Sequence, residues 1–146
     1  MYENGINAYR QTNVITADPG RLVLMCYEGA ISSLRIAKEK YISKEYEAKA
    51  GAVQKAQTII NELMQALDFK KGGEVAGNLE ALYNYMLRRI AEGDVKGDVK
   101  LFDEVILMLG DLESAWKEIS CTPEKPRFIH DAGQGMPAAS SAAGAY

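Results

Sequence analysis

The distribution of proline is the feature that most constrains the fold of this chain. The sequence of 146 residues contains four prolines, and none of them lies between Pro19 and Pro123. Because proline breaks helices more severely than any other residue, this long interval can be helical throughout. Its apolar residues recur at steps of three and four, which is the spacing of one helix face. We therefore predict that the middle of the chain is all helical.

Capping residues and glycines divide the proline-free interval into separate helices. Asp18 followed by Pro19 is a helix start, because a short polar side chain caps the first turn and proline is tolerated at its first position. The predicted helices run from Pro19 to about Ile42, from after Ser43 to Gly72-Gly73, from there to Gly93, and from Asp98 as N-cap to about Ile119.

Four amphipathic helices with short connections favour one architecture, the antiparallel four-helix bundle. We predict an all-α fold in which residues 18–119 form this bundle. Residues 1–17 are polar but include Ile6 and Tyr9, so we expect an irregular N-terminal segment that docks on the bundle. Residues 120–146 consist mainly of Ala, Gly, Pro and Ser, which predicts a flexible low-complexity tail.

Composition excludes several classes of function. A net charge of −3 and an isoelectric point near 5.3 argue against a nucleic-acid partner, which requires clustered Lys and Arg. The single histidine, His130, and the widely separated Cys26 and Cys121 give no metal site, disulfide framework or catalytic dyad. No apolar run approaches the ~20 residues of a membrane span, and the N-terminus lacks a secretion signal. We expect a cytoplasmic protein without enzyme activity, cofactor or metal.

The fourth helix carries more apolar residues than a bundle core requires. Eleven of the nineteen residues from 101 to 119 are apolar, whereas an outer helix of a bundle needs about three in seven. One stripe is assigned to the core, and a second stripe, turned about 100° from the first, is assigned to a partner. The predicted core stripe is Leu101, Val105, Met108, Leu112, Ala115 and Ile119, and the predicted partner stripe is Phe102, Ile106, Leu109 and Trp116.

Two other helices carry similar additional apolar residues. These are Ile59 and Met64 in the second helix, and Tyr83 and Leu87 in the third. Membership of a thick core, completed by docking of the N-terminal segment, explains all of these residues. The alternative is a groove that binds helices of another chain. Periodicity leaves both interpretations open, and Trp116 in particular is also placed to close one end of the bundle.

Short motifs in a fixed order resemble those of a known protein family. The motifs are Ala8-Tyr9, Thr16-Ala17-Asp18-Pro19 before residues 22–30, Lys55-Ala56-Gln57 before Ile59-Ile60, Gly73-Glu74 before Asn78-Leu79, Leu82-Tyr83 before Tyr85-Met86, and Ala115-Trp116. With these motifs the chain is similar to the flagellar protein FliS family, the cytoplasmic chaperones of flagellin export. Cys26 and Asp18 depart from the usual residues of the family, and the tail after residue 120 matches no family pattern.

The resemblance implies a helical bundle that binds the disordered C-terminal segment of flagellin. Occupying this segment would prevent premature polymerisation and keep flagellin competent for export. The resemblance also implies that the N-terminal segment, with Ile6 and Tyr9, covers part of the groove and helps to present the complex to the flagellar export gate. The eight apolar residues named above are then the candidate groove residues.

A four-helix bundle is compatible with two other classes of function. Helical chorismate mutases have bundles of this size but need several cations directed at a dianionic substrate, and the only candidates here are Arg35, Lys38, Arg88 and Arg89. Arg88 and Arg89 are adjacent, so their side chains diverge by about 100°. The second alternative is a structural protein without cargo, in which the additional apolar face is a homodimer interface.

Overall fold

Residues 19–120, the part of the chain that the computed structural model describes, are almost entirely helical. They form α1 (Pro19–Ile42), α2 (Tyr46–Gln65), α3 (Phe69–Lys96) and α4 (Val99–Ser120), and no strand occurs among them. The predicted all-α class is therefore confirmed. The predicted N-terminal segment, including Ile6 and Tyr9, and the tail beyond Ser120 lie outside the described residues.

Contacts between distant residues fix the directions of the helices. Lys38 near the end of α1 pairs with Asp103 near the start of α4, with 2.8 Å between Nζ and Oδ1. Trp116, near the end of α4, donates from its indole nitrogen to the carbonyl of Gly20 in the first turn of α1, at 2.8 Å. Each helix also packs against its neighbour in the sequence, and α1 against α4 closes the ring. The arrangement is the predicted antiparallel four-helix bundle.

Two helices begin where the sequence predicts, although the predicted cap of the first, Asp18, lies outside the described residues. α1 begins at Pro19 and ends at Ile42, as predicted. Its end is closed by Lys44, which adopts a left-handed φ of 65°, and by a hydrogen bond from the Glu45 amide to the Lys40 carbonyl. At the start of α4, Asp98 accepts a hydrogen bond from the Lys100 amide at 3.1 Å, which is the predicted N-cap.

The predicted break at Gly72-Gly73 is confirmed as an interruption of the helix, but it is not the boundary between α2 and α3. α2 already ends at Gln65, and α3 begins at Phe69 because the buried Asp68 caps it by accepting from the Lys71 amide at 3.1 Å. Gly73 instead bends α3 after its first turn, at φ 51° and ψ −120°, a conformation that glycine adopts without a side-chain clash. A glycine pair in a sequence therefore marks a bend here and not a connection.

The predicted end of the third helix at Gly93 is also wrong. α3 continues to Lys96 and ends at Gly97, which has a left-handed φ of 66° and lies so close to the Tyr41 ring that a Cβ atom would collide with it. Gly93 is buried, and a Cβ there would lie 3.1 Å from the Phe102 ring. Gly93 therefore allows the start of α4 to approach α3 closely, and Gly97 supplies the turn.

A single apolar core fills the bundle, and all four helices contribute to it. It includes large aromatic side chains from α1, α3 and α4. The buried residues are Val23, Tyr27, Ala30, Ile31, Leu34, Ala37, Val53, Ala56, Ile59, Ile60, Leu63, Leu67, Ala76, Leu79, Tyr83, Met86, Ile90, Phe102, Val105, Leu109 and Trp116. Several residues predicted for a partner surface are in this list.

Candidate functional site

The predicted partner stripe of α4 lies mostly in the core. Phe102, Leu109 and Trp116 are buried, and the Trp116 indole nitrogen is bonded to the backbone of α1. Ile106 is partly buried against the core. It lies three residues after Asp103, which pairs with Lys38, so it is on the side of α4 that faces α1. Core packing is the role that the structure gives to the three fully buried residues.

The candidates on α2 and α3 divide in the same way. Ile59 and Tyr83 are buried, whereas Met64 and Leu87 are partly buried against the core. Leu87 lies seven residues before Asp94, which forms an ion pair with Lys49 of α2, and so it faces the seam between α2 and α3. The partly exposed candidates Ile106 and Leu87 thus lie on two different seams of the bundle. The eight candidates do not form one groove.

The stripe of α4 assigned to the core is the more exposed of the two. Only Val105 is buried in it, whereas Met108 and Leu112 are partly exposed and Ala115 is exposed. The two stripes have therefore exchanged the predicted roles. The physical reason is that the interior takes the stripe with the two large aromatic side chains, Phe102 and Trp116, because they bury the most apolar area.

Polar contacts identify the side of α3 that faces α4. Glu104 near the start of α4 accepts hydrogen bonds from the Tyr85 hydroxyl at 2.6 Å and from Nε of Arg89 at 2.9 Å. Both hydrogen bonds lower the pKa of the Glu104 carboxyl, and the bond from Tyr85 has the larger effect. Arg89 also pairs with Glu92 at 3.0 Å. We call this group the Glu104 clamp; it closes one end of the α3–α4 seam with charged side chains.

Beyond the clamp, the same seam becomes apolar. Leu82 lies seven residues before Arg89 and is therefore on the side of α3 that faces α4, yet 37% of it is exposed. Arg89 of α3 is level with Glu104 of α4, and the two helices are antiparallel. Seven residues back along α3, at Leu82, therefore corresponds to seven residues forward along α4, between Met108 and Leu112. Val75, partly buried, lies one further heptad along. Together these residues form what we call the α3–α4 apolar surface: Val75, Leu82, Met108, Leu112 and Ala115.

Sequence patterns assigned most of this surface to the core. Leu82 and Val75 continue the apolar stripe of the third helix, and Met108 and Leu112 continue that of the fourth. Their exposure depends on how α3 and α4 are rotated against each other, and the Glu104 clamp sets this rotation. No sequence pattern relates Glu104 to Tyr85 and Arg89, because the contact joins residues that are far apart along the chain.

In the core of the bundle, two tyrosines share a buried hydrogen bond. The hydroxyls of Tyr27 and Tyr83 lie 2.7 Å apart, and both rings are buried. Burial raises the pKa of Tyr27 to about 12, and it also raises the pKa of Tyr83. The folded protein therefore holds both hydroxyls protonated above the ordinary tyrosine pKa of about 10.

This pair predicts a loss of stability in alkaline solution. Since the folded pKa exceeds the unfolded one, the stabilisation is complete below pH 10 and decreases as the pH rises from 10 towards 12. Tyr83→Phe is expected to cost about 1–3 kcal/mol near neutral pH, because the Tyr27 hydroxyl loses its partner. In urea unfolding, the double variant Tyr27→Phe/Tyr83→Phe should lose less free energy of unfolding than the two single variants lose in sum. Its free energy of unfolding should also decrease less than that of the wild type as the pH rises from 10 towards 12. Additive single costs with an unchanged decline would contradict this account.

Two further observations concern metal binding and the membrane. Among residues 19–120 no group of three or more His, Cys, Asp or Glu side chains is arranged to hold a metal ion. In the same residues no helix combines the length and the apolar character needed to cross a bilayer.

Comparison with known families gives a match over most of the chain: the family model described as Flagellar protein FliS covers residues 2–123. The chain belongs to the FliS family. A relative from Salmonella typhimurium, named flagellar secretion chaperone FliS, is 39% identical to this FliS chain over 122 residues, or 80% of this chain and 90% of the relative. The protein of the same name from Bacillus subtilis is 34% identical over 125 residues, or 86% and 92%.

A solved structure supports the same architecture. It is described as the crystal structure of a flagellar chaperone from bacteria, and it superposes on this FliS chain with a TM-score of 0.67. The superposition covers 82% of this chain and 98% of that one, at 21% sequence identity. At this level of identity the likeness supports the fold alone.

Proposed function

We propose that this chain is a cytoplasmic export chaperone that binds the disordered C-terminal helical segment of flagellin. Binding would prevent premature polymerisation and keep flagellin competent for export. The observation that carries the proposal is the α3–α4 apolar surface, with Leu82 of α3 and Met108 and Leu112 of α4 incompletely covered. The names of the relatives, flagellar secretion chaperones, supply the class of cargo.

The chemistry of the surface suits a helical segment as ligand. A long apolar seam between two helices accepts the apolar face of a third helix, whose side chains then lie at steps of three and four residues. A disordered segment spends part of its binding energy, typically ~2 to 5 kcal/mol, on ordering itself. The affinity is therefore moderate for the area buried, which is compatible with later release at the export machinery.

The sequence-based roles outside the described residues belong to the same proposal. Ile6 and Tyr9 of the N-terminal segment cover part of the binding surface until the cargo arrives. The segment then helps to present the complex to the flagellar export gate. Of the eight groove residues predicted from the sequence, the partly exposed Ile106, Met64 and Leu87 remain candidates for additional contacts.

Complex formation tests the proposal against a homodimer without cargo. Size-exclusion chromatography with light scattering is expected to show that the protein gains the mass of one flagellin C-terminal peptide when the two are mixed. A peptide of the same composition in scrambled order is the control, because it lacks the apolar face. A tight dimer that takes up no peptide would replace the chaperone proposal with the homodimer alternative.

A further inference from the structure

We propose that the helical segment bound on the α3–α4 apolar surface carries two basic side chains one heptad apart, which pair with Asp111 and Glu118. This inference rests on the proposed function and specifies the chemistry of its ligand. It concerns a contact that apolar complementarity alone does not supply.

Glu104, Asp111 and Glu118 form one line along α4. They are spaced by seven residues, or close to two helical turns, so each lies almost directly above the previous one. Glu104 faces α3, as its hydrogen bonds from Tyr85 and Arg89 show. Asp111 and Glu118 therefore follow the rim of the same seam, beside the α3–α4 apolar surface, and both are exposed.

α3 provides cationic and hydroxyl partners only at the first of these levels. Arg89 of α3 lies level with Glu104 of α4. The α3 residue level with Asp111 is Leu82, and the α3 residue level with Glu118 is Val75, and both are apolar. The residue one heptad before Tyr85 is Asn78, which is uncharged. The nearest cation on α4, Lys117, pairs with Glu113 at 3.6 Å.

The two carboxylates consequently have no internal counterion. Among residues 19–120, ion pairs involve other acids, and neither Asp111 nor Glu118 takes part in one. A basic side chain of a bound helix would take the position that Arg89 takes at Glu104. Residues seven apart on that helix lie about 10.5 Å apart on one face, which is also the separation of Asp111 and Glu118 along α4.

Charge also discriminates between possible occupants. A segment with acidic flanks would place like charges beside Asp111 and Glu118, and a neutral one would gain only apolar contact. The effect of each exposed pair is modest, about two- to fivefold in affinity, and it decreases as salt screens the charges. The preference is therefore expected in the ratio of two affinities and in its salt dependence.

Two synthetic peptides of about 18 residues test the inference. They share one leucine stripe and differ only in carrying two lysines or two glutamates, one heptad apart, beside it. We expect the wild-type protein to bind the lysine peptide at least about fivefold more tightly at ~50 mM salt, and less selectively at ~500 mM. The double variant Asp111→Lys/Glu118→Lys is expected to lose or reverse this preference.

A matched control changes the net charge equally at a distance. Glu39→Lys/Glu47→Lys alters exposed residues of α1 and α2 and is expected to keep the preference of the wild type. Equal affinities for the two peptides, binding of neither, or a preference that survives the reversal of Asp111 and Glu118 would overturn the inference.

Titration of the flagellin C-terminal peptide into the same proteins separates the two proposals. Failure of this peptide to bind the wild type overturns the proposed function. Binding of this peptide without a charge preference between the two synthetic peptides overturns only this inference.

Discussion

Replacing Leu109 with alanine is expected to lower the free energy of unfolding by about 2–5 kcal/mol, because it opens a cavity in a close-packed core. Leu109 is fully buried, at 0% exposure, in the middle of α4. Leu107, two residues earlier in the same helix, is 67% exposed and provides the matched control. Leu107→Ala is expected to change the free energy of unfolding by less than about 0.5 kcal/mol. Urea denaturation followed by circular dichroism measures both.

The comparison decides the orientation of α4, on which the location of the functional surface depends. If Leu109→Ala were as mild as Leu107→Ala, then the stripe of Phe102, Leu109 and Trp116 would not be core. These residues would then again be candidates for the partner groove predicted from the sequence, and the assignment of the α3–α4 apolar surface as the binding site would be contradicted. A large difference between the two leucine variants excludes that arrangement.

The fold was predictable because its signals are local. The absence of proline, the Asp18-Pro19 start and the Asp98 cap depend on backbone chemistry that neighbouring residues determine, and α1 and α4 begin where these signals lie. The errors also have local origins. Glycine permits a helix end, a bend and a close helix contact alike, so Gly73 and Gly93 could not be assigned from the sequence alone.

The proposed binding surface was less predictable because it depends on tertiary orientation. A helix with two apolar stripes shows both in its sequence, and neither stripe says which one faces the interior. The decision in α4 follows from the bulk of Phe102 and Trp116 and from Glu104, which is bonded to two residues of α3. These long-range contacts involve residues far apart in sequence, and periodicity carries no information about them.

The class of function came from the motifs and not from the physical pattern. Periodicity supported a surplus of apolar surface, which is compatible with a cargo groove, a homodimer interface or a thick core. The ordered motifs resembled one family, and the match over residues 2–123 places the chain in it. Packing and exposure therefore locate a candidate surface, and family membership indicates its class of ligand.

Leu82→Asp is expected to weaken binding of the flagellin C-terminal peptide by about 10- to 100-fold. It removes an apolar contact of about 1.5–3 kcal/mol from the centre of the α3–α4 apolar surface and places a charge against the apolar face of the ligand. Ile36→Asp is the matched control, since Ile36 has a similar exposure of 43% and lies on α1. The Ile36 variant is expected to bind the peptide as the wild type does.

Isothermal titration of this peptide into the two aspartate variants and the wild type is the most direct test of the α3–α4 apolar surface. Circular dichroism and thermal melting first establish that both variants are folded. The account predicts a selective loss of affinity in Leu82→Asp. Wild-type affinity in a folded Leu82→Asp protein, or an equal loss in Ile36→Asp, would contradict the claim that flagellin docks between α3 and α4.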